Sequence, residues 1–266
     1  MQDILSEIVA HRRADLAQLL RKRVSMAEAL RQSPTGIIAE FKRRSPSRGW
    51  IHPDIEPEQV VPGYARGGAA ALSILTNEEY FGGRPEFIPR VRQLVGEGLP
   101  LLRKEFIVHP YQVYEAKVLG ADALLLIAAD LTPSDYASLC QLTHSLGMEV
   151  LLEVHDPAEL SYLEVAVPDM LGVNNRALGT FHTDVQHSFD VALAMQEAVR
   201  RLGAEAPVLV SESGISQPDT VRQLREVGFR GFLIGECFMR AADPGEALAA
   251  FVKESSPLRG IRGGLT

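Results

Sequence analysis

Residues 37–50 read IIAEFKRRSPSRGW. Ile37, Ile38, Ala39 and Phe41 have the apolar character of a buried strand, yet Glu40 and Lys42 interrupt it two residues apart. Side chains of an extended strand alternate between faces, so this spacing sets an acid and a base on one side. A buried charge is costly unless it is paired or put to use. The pair is therefore either a structural bridge or a set of catalytic groups. The loop that follows is rich in Arg, Ser, Pro and Gly but holds no GxGxxG. An open doubly wound sheet would carry a glycine-rich phosphate turn at that place, so the loop argues for a different parallel architecture.

Seven further apolar runs follow, at 70–76, 99–106, 121–128, 149–155, 170–176, 207–213 and 231–238. Between them, 110–119, 134–146, 185–202 and 218–227 have helical periodicity with Gly near their ends. Near-continuous apolar strands alternating with helices imply a parallel sheet covered by helices. Eight repeats in 266 residues predict an α/β fold, a single (β/α)8 TIM barrel. Residues 3–31 carry apolar positions at helical spacing, so 1–34 are expected to form an N-terminal helical extension to one domain spanning 1–266.

The composition narrows the function classes. Hydrophobic residues make up 46% and charged residues 23%, and no stretch approaches the ~20 uncharged apolar residues of a membrane span. The N-terminus is charged throughout and unlike a secretory signal, so a cytoplasmic, membrane-free protein is expected. Cys140 and Cys237 lie far apart and are read as reduced thiols. A net charge of −7 speaks against a nucleic-acid partner, whereas the local cluster Lys42, Arg43, Arg44 and Arg48 suits a small anion. The seven histidines form neither HxH nor HExxH, so no metal site is expected.

In a (β/α)8 barrel the reactive groups gather at the C-terminal strand ends. Here the first run ends in Glu40 and Lys42, the third in Arg103, Lys104 and Glu105, and the fifth in Glu153 and His155. The sixth ends in Asn174, Asn175 and Arg176, and the seventh in Ser211, Glu212 and Ser213. Gly214 and Gly235 follow the last two strands, where barrels bind phosphate through backbone N–H groups. With Ser45 and Ser47 across the rim, they suggest a phosphate cradle. Phe81 and Phe106 flank the same mouth.

These residues stand in segments that resemble indole-3-glycerol phosphate synthase, an enzyme family of tryptophan biosynthesis. The resemblance runs through IAEFKRRSPSRG (38–49), LSILTNEEYFGG (72–83), LLRKEFIV (101–108), YEAKVLGADALLLI (114–127), LLEVH (151–155), LGVNNR (171–176), SESGI (211–215) and FLIGECFMR (232–240). It implies a barrel with an N-terminal extension, no cofactor or metal, and a small phosphorylated substrate, 1-(2-carboxyphenylamino)-1-deoxyribulose 5-phosphate. Ring closure with loss of carbon dioxide and water would give indole-3-glycerol phosphate. By the same resemblance Lys104 is the general acid, and Lys42, Glu153 and Glu40 share the later proton transfers in an order the sequence leaves open. Asn174 would bind a substrate hydroxyl, and Glu212 would be a second carboxylate at the mouth. Ser45, Ser213, Gly214 and Gly235 would hold the phosphate, Phe81 and Phe106 would wall the anthranilate ring, and Arg176 would anchor mouth carboxylates. A monomer is expected. Glu105 and His109 depart from the family's usual acids. Another sugar-phosphate barrel, or a phosphate-binding relative without turnover, would share the cradle but not the full acid–base set.

Overall fold

The computed structural model describes residues 24–46, 49–177, 182–203 and 206–256. Eight parallel strands close into a barrel in chain order: β1 (Ile37–Phe41), β2 (Ala71–Leu75), β3 (Leu101–Lys104), β4 (Ala123–Ile127), β5 (Glu149–Val154), β6 (Met170–Asn174), β7 (Val208–Glu212) and β8 (Gly231–Ile234). β1 seals it, pairing Ile38 with Leu233 on one side and with Ala71 on the other. Each expected strand is found, most of them shorter by a residue or more at their ends, and the third and eighth by four. The eighth run stops at Gly235, and Glu236–Met239 turn into a short helix.

The helices are α1 (Met26–Gln32), α2 (Pro57–Gly67), α3 (Glu78–Phe81), α4 (Phe87–Val95), α5 (Pro110–Leu119), α6 (Pro133–Ser145), α7 (Gln186–Arg200), α8 (Pro218–Glu226), α9 (Glu236–Met239) and α10 (Pro244–Ser255). Several begin with proline, which lacks only an N–H that a helix's first turn cannot pair anyway. His109, one of the two departures, is the N-cap of α5, and its Nδ1 accepts from Tyr111 N–H. An imidazole there does the capping work of an acid. After β5 the chain forms a 3-10 helix, Pro157–Glu164, rather than an α-helix. No described helix is long and apolar enough to cross a membrane.

Strand alternation divides the core. Ile37, Ala39 and Phe41 face the helices, while Ile38, Leu102, Leu151 and Val210 fill the barrel interior. Met26, Ala27 and Leu30 of α1 belong to the interior cluster and plug its lower end. Burying Met26 and Leu30 contributes roughly 1.5–3 kcal/mol each. Glu149 at the start of β5 fixes this plug, its Oε2 accepting from Met26 N–H at 2.7 Å and Ala27 N–H at 2.9 Å. A carboxylate on unpaired N–H groups at a helix start is favourable. Glu149→Ala should lower stability by about 1–3 kcal/mol, read as an earlier urea midpoint with an unchanged slope; an unmoved midpoint would show that the plug does not depend on this cap. Residues 1–23 of the expected extension lie outside the described residues.

The same alternation removes two expected mouth cations. Arg103 points outward from β3 and pairs with Glu115 at 2.5 Å. Arg43 is buried on the outer side, bound to the Gly82 carbonyl and Glu56, with its guanidinium over the Phe87 ring. Arg44 donates to the Glu79 carbonyl and lies over Trp50, and the pairing of 44–45 with 49–50 makes the loop a short ribbon. Of the described basic cluster, Lys42 is the member that lines the mouth. Ser47 and Arg48 lie outside the described residues.

Candidate active site

A cavity of about 630 Å³ opens at the C-terminal ends of the strands. Its floor comes from the odd-numbered strands, which each contribute one inward charged residue: Glu40 from β1, Lys104 from β3, Glu153 from β5 and Glu212 from β7. Barrel interiors are built in layers of four side chains from alternate strands. The lower layers are apolar here, and this one is charged.

Lys104 is its centre. Its Nζ lies 2.9 Å from Glu153 Oε2 and 2.5 Å from Glu212 Oε2. Burial works against the ammonium, but the carboxylates of Glu153, Glu212 and Glu40 outweigh it and raise the Lys104 pKa, so the side chain stays charged. The two carboxylates beside it are driven apart. Burial and the Glu153 charge push Glu212 up to about 8, and its Oε1 is buried with no hydrogen bond. For Glu153 the burial penalty is overcome by Lys104, His155 and the amide of Asn174, so its pKa is lowered. Asn174 Nδ2 donates to Glu153 Oε1 at 3.0 Å. Two carboxyls with opposed environments provide one proton-holding and one proton-accepting group at neutral pH. Lys42 bridges Glu40 at 2.6 Å, and Ser73 donates to the other Glu40 oxygen at 3.5 Å. With Glu212 protonated, two lysines balance two carboxylates.

Phe81 and Phe106 form one wall, ring centroids 6.3 Å apart at 34°. Glu105 does not enter the reacting layer. It accepts from Thr76 Oγ1 and Asn77 Nδ2, tying the loops after β2 and β3 together behind Phe106. On the opposite side Ser213 and Gly214 both have left-handed backbone, φ 69° and 78°. Successive turns of this kind aim backbone N–H groups into a concavity suited to an anion. A Cβ on Gly214 would meet Thr183 at 2.8 Å, and one on Gly235 would meet Glu40 Oε1 at 2.6 Å. Arg176 spans the rim, reaching Ser45 Oγ at 3.4 Å and Glu236 Oε2 at 3.9 Å.

Glu40, Lys42, Lys104, Glu153, Asn174, Glu212, Phe81, Phe106, Arg176, Ser213, Gly214 and Gly235 all line the cavity. Ser45 is buried behind the rim, touching it through Arg176. Asn175, adjacent to Asn174, faces outward and holds the phosphate-side turn by donating to the Ser213 carbonyl. Gly172 was not expected. A side chain there would collide with Glu212 Oε1, so the carboxyl reaches Lys104 because residue 172 is glycine. A glycine inside the 170–176 strand pattern was the available signal for such a close approach. Among the described residues no group of three His, Cys, Asp or Glu could hold a metal ion.

The chain is similar to known proteins over almost its full length. Residues 3–251 match the family model for indole-3-glycerol phosphate synthase. It is 49% identical over 271 residues to the indole-3-glycerol phosphate synthase of Bacteroides thetaiotaomicron, covering 95% of this chain and 99% of that one. To the enzyme of the same name from Carboxydothermus hydrogenoformans it is 43% identical over 248 residues, covering 93% and 89%. Among solved structures, orotidine 5'-phosphate decarboxylase from Pyrococcus horikoshii shares the barrel with a TM-score of 0.58 at 12% identity, over 84% of this chain and 100% of that one. That likeness concerns the fold alone. The chain belongs to the indole-3-glycerol phosphate synthase family.

Proposed function

We propose that the protein carries out the reaction for which its family is named, with the charged floor as its acid–base machinery. The substrate, 1-(2-carboxyphenylamino)-1-deoxyribulose 5-phosphate, closes to indole-3-glycerol phosphate with loss of carbon dioxide and water, a carboxy-lyase step of tryptophan biosynthesis. One observation supports this assignment most: a lysine held charged between two carboxyls, beneath a cavity with an aromatic wall on one side and an anion-binding turn on the other.

The phosphate sits at the turns of Ser213, Gly214 and Gly235, with Ser45 and Arg176 completing the rim. The anthranilate ring lies against Phe81 and Phe106, and Lys42 neutralises its carboxylate, whose burial would otherwise be expensive. Lys104 then points at the ketone oxygen. As the ring carbon attacks, negative charge develops on that oxygen and Lys104 stabilises and protonates it. Loss of carbon dioxide frees Lys42 to protonate the departing hydroxyl, beside Glu40. Glu153, kept ionised, takes the proton lost from the methylene carbon beside the nitrogen as the hydroxyl departs and the ring double bond forms, and Asn174 holds a sugar hydroxyl and aligns Glu153. Glu212 keeps its proton up to about pH 8, so Lys104 is not bound by two full negative charges at once.

Mixing the purified protein with this substrate should produce the indole absorbance and fluorescence of the product; folded protein that gives no such signal would refute the assignment. We infer a monomer, which a sedimentation mass near 29.1 kDa would bear out and a mass twice that would refute. Gly235→Ala should lower kcat/KM by roughly 10², through kcat as well as KM, because the added methyl displaces Glu40 while crowding the phosphate turn. A change in KM alone would mean that Glu40 accommodates the methyl without leaving its working position.

A further inference from the structure

His155 is a buried titratable residue to which the scheme above gives no task. Its side chain is 10% exposed and its Nε2 lies 3.3 Å from Glu153 Oε1, yet neither ring nitrogen makes a hydrogen bond. Buried polar atoms are nearly always paired, and each exception calls for a reason. The fold uses the backbone of His155 instead: its N–H donates to Glu159 Oε2 at 2.6 Å, and its carbonyl accepts from His187 Nε2 at 2.9 Å. Structural fastening therefore does not account for the ring.

Glu153 has a need that the ring can meet. A base 3% exposed and covered by substrate must release the proton it takes before the next turnover. Four groups lie against its carboxylate. Lys104 is charged and has no lone pair, Asn174 presents its amide N–H, and Glu212 already holds a proton up to about pH 8. The imidazole of His155 alone among the four is left to accept a proton. His155 stands behind Glu153, off the cavity wall, while Asp130 on the loop after β4 is exposed and lines the cavity. Asp130 is coupled electrostatically to both Glu153 and His155. The charged and titratable groups around the ring are Glu153 from β5, Asp130 from the loop after β4, Glu159 from the 3-10 helix and His187 from α7, with Lys104 beyond Glu153.

Resting on the assignment of Glu153 as the base, we infer that His155 is a positioning residue that conducts the proton from Glu153 to solvent. The carboxyl O–H of Glu153 gives its proton to Nε2. Both ring nitrogens are buried at rest, so the imidazolium releases that proton to water only when the ring, already 10% exposed, turns outward. One proton enters the ring and the same proton leaves from Nε2, so the imidazole returns in its starting tautomer. No bond to the substrate is made or broken by His155.

The test compares wild type, His155→Gln and His155→Ala in steady-state turnover of the carboxyphenylamino substrate. His155→Gln, which cannot carry a charge, should lose roughly 10- to 10²-fold in kcat, the lower end for a proton-transfer group, with KM within about twofold. Its kcat–pH profile should lack an ionisation present in wild type. Added imidazole should accelerate His155→Ala in proportion to its concentration and leave wild type unaffected. Unchanged kcat in both variants would overturn the relay. So would a loss of kcat that follows a lower melting temperature, with an unaltered pH profile and no response to imidazole, because that is the pattern of a packing residue. No turnover by wild type itself would instead remove the reaction assignment, and is distinguished by needing no variant.

Discussion

Lys104→Met is expected to lower kcat by roughly 10²–10⁴, the range for losing a positioned acid, with a smaller effect on substrate affinity. The phosphate turns and the aromatic wall are unaltered by the change, so binding persists. What disappears is, among the described residues, the cation in contact with both Glu153 and Glu212. Removing one partner of a buried ion pair ordinarily costs about 3–5 kcal/mol. Here the loss should be smaller at neutral pH, because Glu212 already takes a proton up to about 8 and can stay neutral beside Glu153. The pH dependence follows. A carboxyl whose folded pKa lies above its unfolded value binds an extra proton in the folded state, so stability falls as pH rises between the two. Without Lys104 that window extends upward, and the melting temperature of Lys104→Met should drop more at pH 9 than at pH 6, relative to wild type. Turnover equal to wild type would refute the role of Lys104, and an equal loss of stability at both pH values would refute the protonated Glu212.

Glu153→Gln should also reduce kcat by roughly 10²–10⁴, for a different reason. The amide keeps the shape and the bond to Asn174 but cannot take a proton, so ring closure is possible and dehydration stalls. Lys104 keeps the carboxyl of Glu212 as a neighbour at 2.5 Å. Glu212 loses the negative charge that, after burial, helps push its pKa up to about 8. Its ionisation should therefore shift to lower pH, and the alkaline limb of the residual activity should move with it. A limb that stays in place would show that Glu212 does not set it.

Much of this was legible in the sequence through one rule, the alternation of a strand. Glu40 and Lys42, two apart, do share the inward face and form a bridge at 2.6 Å. The same parity, applied to every strand end, would have turned Arg43, Arg103 and Asn175 outward, where the structure has them bound to Glu56, Glu115 and Ser188. In the charge cluster after β1 only alternate members can face the mouth, and Lys42 does. Gly172 had a signal too, a glycine inside an apolar strand, whose meaning depends on which side chain approaches it from the neighbouring strand.

Other features had no local signal. The contact of Ser45 with Arg176 spans 131 positions of sequence and arises from barrel closure. Asp156 and Glu159 cap the proline-led 3-10 segment after β5, a composition equally suited to an α-helical start. The opposed pKa directions of Glu153 and Glu212 follow from burial and from which carboxylate Asn174 and His155 reach. Neither is encoded in spacing along the chain.

The central claim, that Lys104 between Glu153 and Glu212 drives ring closure on a substrate anchored by its phosphate, is tested most directly in a single turnover. Excess wild type or Lys104→Met is mixed with the carboxyphenylamino substrate, and substrate binding and indole fluorescence are followed together. The expected result is binding by both proteins and prompt indole formation by wild type, with Lys104→Met slower by roughly 10²-fold or more. Indole formation by Lys104→Met at the wild-type rate would contradict it.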